Sequence, residues 1–234
     1  MDELKELVAE LSPANAEVIY QKFYKRCSRL RSPGQVFQAF EQVIPLARHE
    51  NPVVRSYCLL FMGAALDSGV LKDDQRIASQ IIQFIEQYIE GIHDFRARDS
   101  EGQWIHVMSH LTYLVDSLVD HTPVTDQQVA HLNDLLLSTY LRSNVNFEDD
   151  EELVLGNLLL KLAQKNNDIF VHWDILRADI PAQTDDETEA ATFLTIERNK
   201  RKLWQTMLGI NLGKNVVSTE VFKPFSLALV QALD

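Results

Sequence analysis

Three proline-led helix starts, Ser12-Pro13, Ser32-Pro33 and Asn51-Pro52, fall about twenty residues apart and limit this chain to a short list of folds. Each pair offers a side-chain oxygen to cap free amides. Each then places a proline where its missing N–H costs nothing, in the first helical turn. Apolar residues follow each start at helical spacing: Val18, Ile19 and Phe23; then Val36, Phe37, Phe40, Val43 and Ile44; then Val54, Leu59, Met62 and Ala65. Two such helices form a unit of about forty residues, the period at which helical-hairpin solenoids repeat.

Similar patterns predict further helices over Asp74 to Glu90, Gln103 to Asp120, Thr125 to Leu141, Asp149 to Gln164, Glu187 to Leu208 and Ser218 to Leu233, with Gly69, Gly91 and Gly209 as stops. No alternating segment bounded by hairpin turns calls for a sheet. The expected fold class is all-α: stacked antiparallel helix pairs forming an α-α superhelix, with residues 1–234 as one helical-repeat domain and 180–189 as an acidic connection. The passage from Val43 to Ser56, with Asn51-Pro52-Val53-Val54-Arg55, resembles the turn and second-helix start of a HEAT repeat.

The chain has 34 acidic against 22 basic residues, a formal charge of -12. Such a balance repels phosphate backbones and anionic lipid, so neither nucleic acid nor a membrane surface is an expected partner; a protein or peptide with a basic segment is. Two cationic stretches, Lys22, Lys25, Arg26 and Arg29, and then Arg198, Lys200, Arg201 and Lys202, read as solvated faces. The longest apolar run, Ser56 to Leu66, is too short for a membrane span of about 20 residues and reads as a core helix. The opening Met-Asp-Glu-Leu-Lys-Glu lacks the basic start and apolar stretch of a secretory signal, which makes a cytoplasmic location the expectation. Cys27 and Cys58, the only cysteines, read as free buried thiols.

Chemical content concentrates in Trp104, His106, His110 and Tyr113. On a helix spanning 103–120, residues four apart share a face, so the two imidazoles would point the same way, with Tyr113 just beyond. They would border a core stripe of Val107, Met108, Leu111, Leu114, Val115 and Leu118. An HxxxH pair is a two-ligand seat for a divalent transition metal, because neutral imidazole is a favoured nitrogen donor. Asp94, Asp99, Glu148, Asp149, Asp150 or Glu151 could complete the shell. The acids from Asp149 onward equally suit the amino end of their own helix, and the pair equally suits a polar pocket without metal. The glutamate of an HExxH metalloprotease is missing.

The chain also resembles a bacterial family of helical proteins classed as a domain of unknown function. Its pattern joins an Arg-Ser-Phe-like helix start, an Asp-Leu-Arg-Gly loop, a Gly-Trp-Ala-His-x-x-x-His helix and a Glu-Asp-Glu-Arg-Leu helix start. The counterparts are Arg55-Ser56-Tyr57, Asp94-Phe95-Arg96-Ala97, Trp104-Ile105-His106 with His110, and Asp149-Asp150-Glu151-Glu152-Leu153, in the same order over Arg55 to Leu160. Ala97 and Gln103 replace glycines, Glu152 replaces arginine, and Tyr113 stands where the pattern has aspartate. The resemblance implies a pocket around Trp104, His106 and His110, with Arg55 and Arg96 available to pair with Asp94, Asp150 or Glu151.

Two functions compete on this reading. A non-enzymatic interaction module would use the concave face of stacked helix pairs and would bind independently of His106 and His110. A metal-dependent enzyme would centre on those histidines and lose metal when either is removed. A helical-repeat DNA glycosylase needs a cationic groove, which this charge balance opposes.

Overall fold

The computed structural model describes residues 2–92, 94–143, 145, 147, 150–166, 168–169, 187–214 and 216–217. Among them, nine α-helices and two short 3-10 turns account for the regular structure, and the only β pairing is one bridge between Arg98 and Trp104. The fold is all-α. No helix among these residues is long and apolar enough to cross a membrane. The expected helix over 218–233, together with residues 180–186 of the acidic connection, Glu148 and Asp149, lies outside the described residues.

Two compact units divide the chain, Met1–Thr125 and Asp126–Asp234. The first holds α1 (Asp2–Ala9), α2 (Ala16–Cys27), α3 (Pro33–Val43), α4 (Pro52–Leu66), α5 (Gln75–Glu90) and α6 (Val107–His121). The three proline-led starts all open helical structure, but by different means. Asn51 caps α4 as expected, its Oδ1 accepting the amides of Val53 at 2.9 Å and Val54 at 3.3 Å. Ser32 makes no such bond, so Pro33 alone sets the start of α3. At Ser12 the direction reverses: its N–H donates to Asn15 Oδ1 at 2.8 Å, and a 3-10 turn over Pro13–Asn15 precedes α2.

The core of this unit is α4, buried from Val53 to Leu66 apart from Arg55 and Leu60 at half-buried positions. A helix apolar on every side is one enclosed by neighbours, and α4 packs on α2, α3 and most extensively on α6. Cross-helix pairs set its direction. Glu17 meets Tyr57 and Phe23 stacks on Phe61, with centroids 4.4 Å apart. Tyr57 meets His110, while Asp67 meets Tyr113 and His121. Residue numbers rise together in both interfaces, so α2, α4 and α6 run parallel in one layer. The short connections on either side of α3 send it back against α4, and α5 runs back likewise, ending where the Tyr88 hydroxyl donates to the Arg55 carbonyl at 3.2 Å beside the start of α4.

A Cβ on Gly63 would lie 2.6 Å from Tyr113 Cε1, so the bare glycine is what lets α6 lay that ring on α4. Cys27 and Cys58 are free and buried, and burial pushes the Cys27 thiol up to about 12. Val18, one of the apolar positions at helical spacing, is 57% exposed, while Ile19 and Phe23 are buried.

In the second unit, α7 (Asp126–Arg142), α8 (Glu151–Lys165) and α9 (Glu187–Lys214) pack together, α8 against α9 most extensively. Gly156 lets those two approach: a Cβ there would stand 3.1 Å from Met207 Cγ. Gly209, read as a stop, lies inside α9, which continues to Lys214. Lys200, read as a solvated cation, is 5% exposed and bonded to Glu197 at 2.8 Å. Its helix turns that position inward, which a count of charges does not reveal.

Candidate functional site

The loop between α5 and α6 is built by its own hydrogen bonds. Asp99 Oδ1 accepts the amides of Glu101 at 2.9 Å and Gln103 at 2.8 Å, and Gly102 takes the left-handed φ of +81° that closes the turn. The turn pairs Arg98 with Trp104 and lets Arg98 Nη1 donate to the Gly102 carbonyl at 3.0 Å. The Arg98 guanidinium carbon consequently sits 3.0 Å from the Trp104 ring centroid, and the same indole stacks on His106 at 4.2 Å and 13°. Trp104 stays 39% exposed.

The helix start differs from the expected one. The helix begins at Val107, and His106 is its N-cap, with φ 44° and ψ 39°. The amides of Ile105 and His106 both donate to the Ala97 carbonyl, at 2.7 and 3.3 Å, and this crossing of the chain drives His106 out of the helical region. Left-handed backbone costs a residue with a Cβ about 1 kcal/mol, which the loop and the Trp104 stack offset. The two histidines therefore do not share a helix face. Their ring centroids lie 6.3 Å apart, with planes at 53°. Ala97 and Gln103, which replace the pattern's glycines, both keep negative φ.

His110 is buried rather than bordering the core stripe, its ring edge-on to Tyr57 at 5.1 Å. Burial first, and the neighbouring His106 second, push its pKa down to about 3 against the opposing hydrogen bond to the Ser56 backbone. The ring is therefore neutral at physiological pH. Its Nδ1 and the Gln103 Oε1 are both buried, and neither finds a hydrogen-bond partner among the described residues. Orphaned acceptors of this kind are rare in folded proteins and call for a donor.

Asp94 accepts two bonds from the Arg96 side chain, at 2.9 and 2.7 Å, which hold its carboxyl below the usual carboxylate range. Arg55 is close enough to add to that lowering, yet its Nη1 donates to the His49 carbonyl at 3.0 Å and it makes no ion pair with Asp94. Tyr113 stands apart from the histidine pair. Its O–H donates to Asp67 Oδ2 at 2.5 Å, with His121 Nε2 3.6 Å from the other carboxylate oxygen. Among the described residues no three His, Cys, Asp or Glu side chains gather as a metal cage would require. The donor atoms at this helix start are the imidazole nitrogens, with the Gln103 amide oxygen in the loop before it.

Asp150 and Glu151 belong to the second unit. Asp150 is the N-cap of α8, with φ 64°; it and His106 are the only non-glycine residues with positive φ among those described. Glu151 is 1% exposed beside Tyr140, whose ring stacks on Phe147 at 4.5 Å and whose phenol is pushed up by burial and by Glu152 and Glu151.

A family model described as "Protein of unknown function (DUF2785)" matches residues 47–208. The chain belongs to this family. The DUF2785 match runs from the turn before α4 into α9, so it encloses the histidine pair and the α8 cap. A search of curated proteins and a search of solved structures each find no match. Within the DUF2785 region, reasoning along the chain missed Tyr57 as the wall against His110, Arg98 as the cation on Trp104, and Gln103 as an orphaned acceptor. Arg98 had a readable signal, since an Asp followed by Gly three residues later marks a tight turn that brings its flanks together. Tyr57 had none, because it reaches the site across a helix interface.

Proposed function

We propose that this chain is a non-enzymatic binding module, a HEAT-like helical repeat that holds other proteins. The supporting observation is the alternation of helix direction in the first unit, with α2, α4 and α6 parallel and α3 and α5 running back against them. Helix pairs stacked this way generate extended faces used for holding peptides. The net charge of -12 favours partners with a basic segment at long range.

The test is a peptide array probed with wild-type protein and the His106→Ala/His110→Ala variant, at low and physiological salt. The module reading expects peptides rich in Lys and Arg to be retained, to weaken as salt rises, and to bind both proteins alike. Indifference to peptide charge would overturn it.

The orphaned Nδ1 of His110 beside His106 favours a second reading, a metal-dependent enzyme using that pair. Elemental mass spectrometry on untagged protein decides it. Near-stoichiometric transition metal in the wild type, lost from the folded double variant, would support it. Absence from both after reconstitution with zinc, manganese and iron would reject it.

A further inference from the structure

An open groove of about 680 Å³ runs between the 3-10 turn Ile44–Arg48 and the last turns of α5. Its apolar surface comes from Ile44, Pro45, Phe84 and the ring of Tyr88. Ile44 is 42% exposed and Phe84 half-buried, although the rest of α5 hides its isoleucines. Two guanidinium groups line it, Arg48 and Arg55, and no Asp or Glu does.

That charge pattern inverts the rest of the chain, where acids outnumber bases 34 to 22. Glu50, Glu86 and Glu90, the acids nearest in sequence to the lining, do not line it, and Glu50 and Glu90 are exposed. Arg48 is exposed and makes no ion pair among the described residues. Arg55 is tethered only to the His49 carbonyl, and the nearby Asp94 is already taken by Arg96. Two cations at the side of an exposed apolar floor match a ligand joining a bulky apolar group to a carboxylate, because guanidinium binds carboxylate in a planar two-bond geometry. The groove is partly open to solvent, whereas small-molecule sites enclose most of their ligand. A chain segment laid across it fits better.

We propose that this groove docks an acidic apolar segment of a partner protein, its bulky side chain on Phe84 and Ile44 and its carboxylate between Arg48 and Arg55. The site stands whether or not the histidine pair binds anything. Attraction of a basic partner at long range and capture of one acidic anchor at contact are compatible, since the first depends on total charge and the second on local charge.

Fluorescein-labelled octapeptides whose central pair combines Leu, Phe or Gly with Glu, Gln or Lys would be titrated by anisotropy against the full chain. The variants are Arg48→Glu, and Gln87→Glu, which adds an acid to an exposed lining position. The Leu-Glu and Phe-Glu peptides should bind tightest, and each variant should weaken them by about tenfold with an unchanged melting temperature. Amide shifts in the wild type should centre on Ile44, Arg48 and Phe84. The proposal is overturned by no binding up to millimolar peptide, by no preference for Glu over Lys, or by affinity unaltered in both variants. It is equally overturned if phenylpropionate displaces the peptide at equal concentration, which would mark a small-molecule carboxylate pocket.

Discussion

Trp104 lies nearly flat against His106, with ring centroids 4.2 Å apart and planes 13° from parallel, and His106 is the residue that enters α6 through left-handed backbone. The stack and the strain belong together. An aromatic contact of this kind is worth about 1 kcal/mol, comparable to the cost of the backbone conformation.

A double-mutant cycle should expose that coupling. Trp104→Ala is expected to destabilise by about 1–2 kcal/mol, losing both the stack and the Arg98 contact. His106→Gly should be close to neutral alone, and should recover about 1 kcal/mol in the Trp104→Ala background, where only strain remains to be relieved. Urea unfolding of the four proteins measures it; simple additivity would mean that the stack does not hold the cap.

The buried imidazole of His110 predicts an acid-sensitive fold. In the unfolded chain it gains a proton near pH 6.5, whereas in the folded chain its pKa is pushed down to about 3. Between those values the unfolded state binds the extra proton. The stability contributed by the neutral ring is therefore complete above pH 6.5 and declines as pH falls toward 3. The loss is about 1.4 kcal/mol per pH unit, roughly 2 kcal/mol by pH 5. Stability of His110→Phe measured at pH 7.5, 6 and 5 should show a flatter slope than wild type by that amount. Parallel slopes would contradict a buried neutral ring.

At Gly63 the expectation is steric. A methyl group there would lie 2.6 and 2.9 Å from two ring carbons of Tyr113, and the bond to Asp67 keeps that ring from swinging away. Gly63→Ala should lower stability by about 1–3 kcal/mol. Adding Tyr113→Leu should cost less than the two single changes summed, as thermal melts of the set would reveal.

The two capping sites give a contrast. Asn51→Ala should cost about 1 kcal/mol, because two amides lose their acceptor. Ser32→Ala should change stability by less than about 0.5 kcal/mol, since its hydroxyl caps nothing. Chemical denaturation of both variants checks the pair.

Much of this architecture was legible along the chain, because helix periodicity and proline-led starts are local signals. Pro33 and Asn51-Pro52 mark α3 and α4 closely, and the helix expected over Asp74 to Glu90 is α5 at Gln75–Glu90. The histidine site was legible in composition but not in geometry. Sequence spacing placed His106 one turn before His110 on a shared face, whereas the Ala97 carbonyl takes the amides of Ile105 and His106 and moves the helix start to Val107. The links from Tyr57 to His110 and from Tyr113 to Asp67 join residues on different helices, so their spacing carries no trace of the contact. Arg48 and Arg55 face one groove for the same reason: a 3-10 turn bends the chain between two helices.

The parallel run of α2, α4 and α6 also gives their layer an electric polarity. Peptide dipoles aligned in one direction add, leaving partial positive charge along the edge where these helices begin and partial negative charge where they end. Asn51, Arg55 and the cap at His106 stand at the positive edge; Asp67 and His121 stand at the other. Within the same unit α3 and α5 run back and end near the edge where α4 begins, so their dipoles oppose that polarity there. The positive charge that an anionic group meets at the groove is therefore that of the Arg48 and Arg55 guanidinium groups and not that of the peptide dipoles.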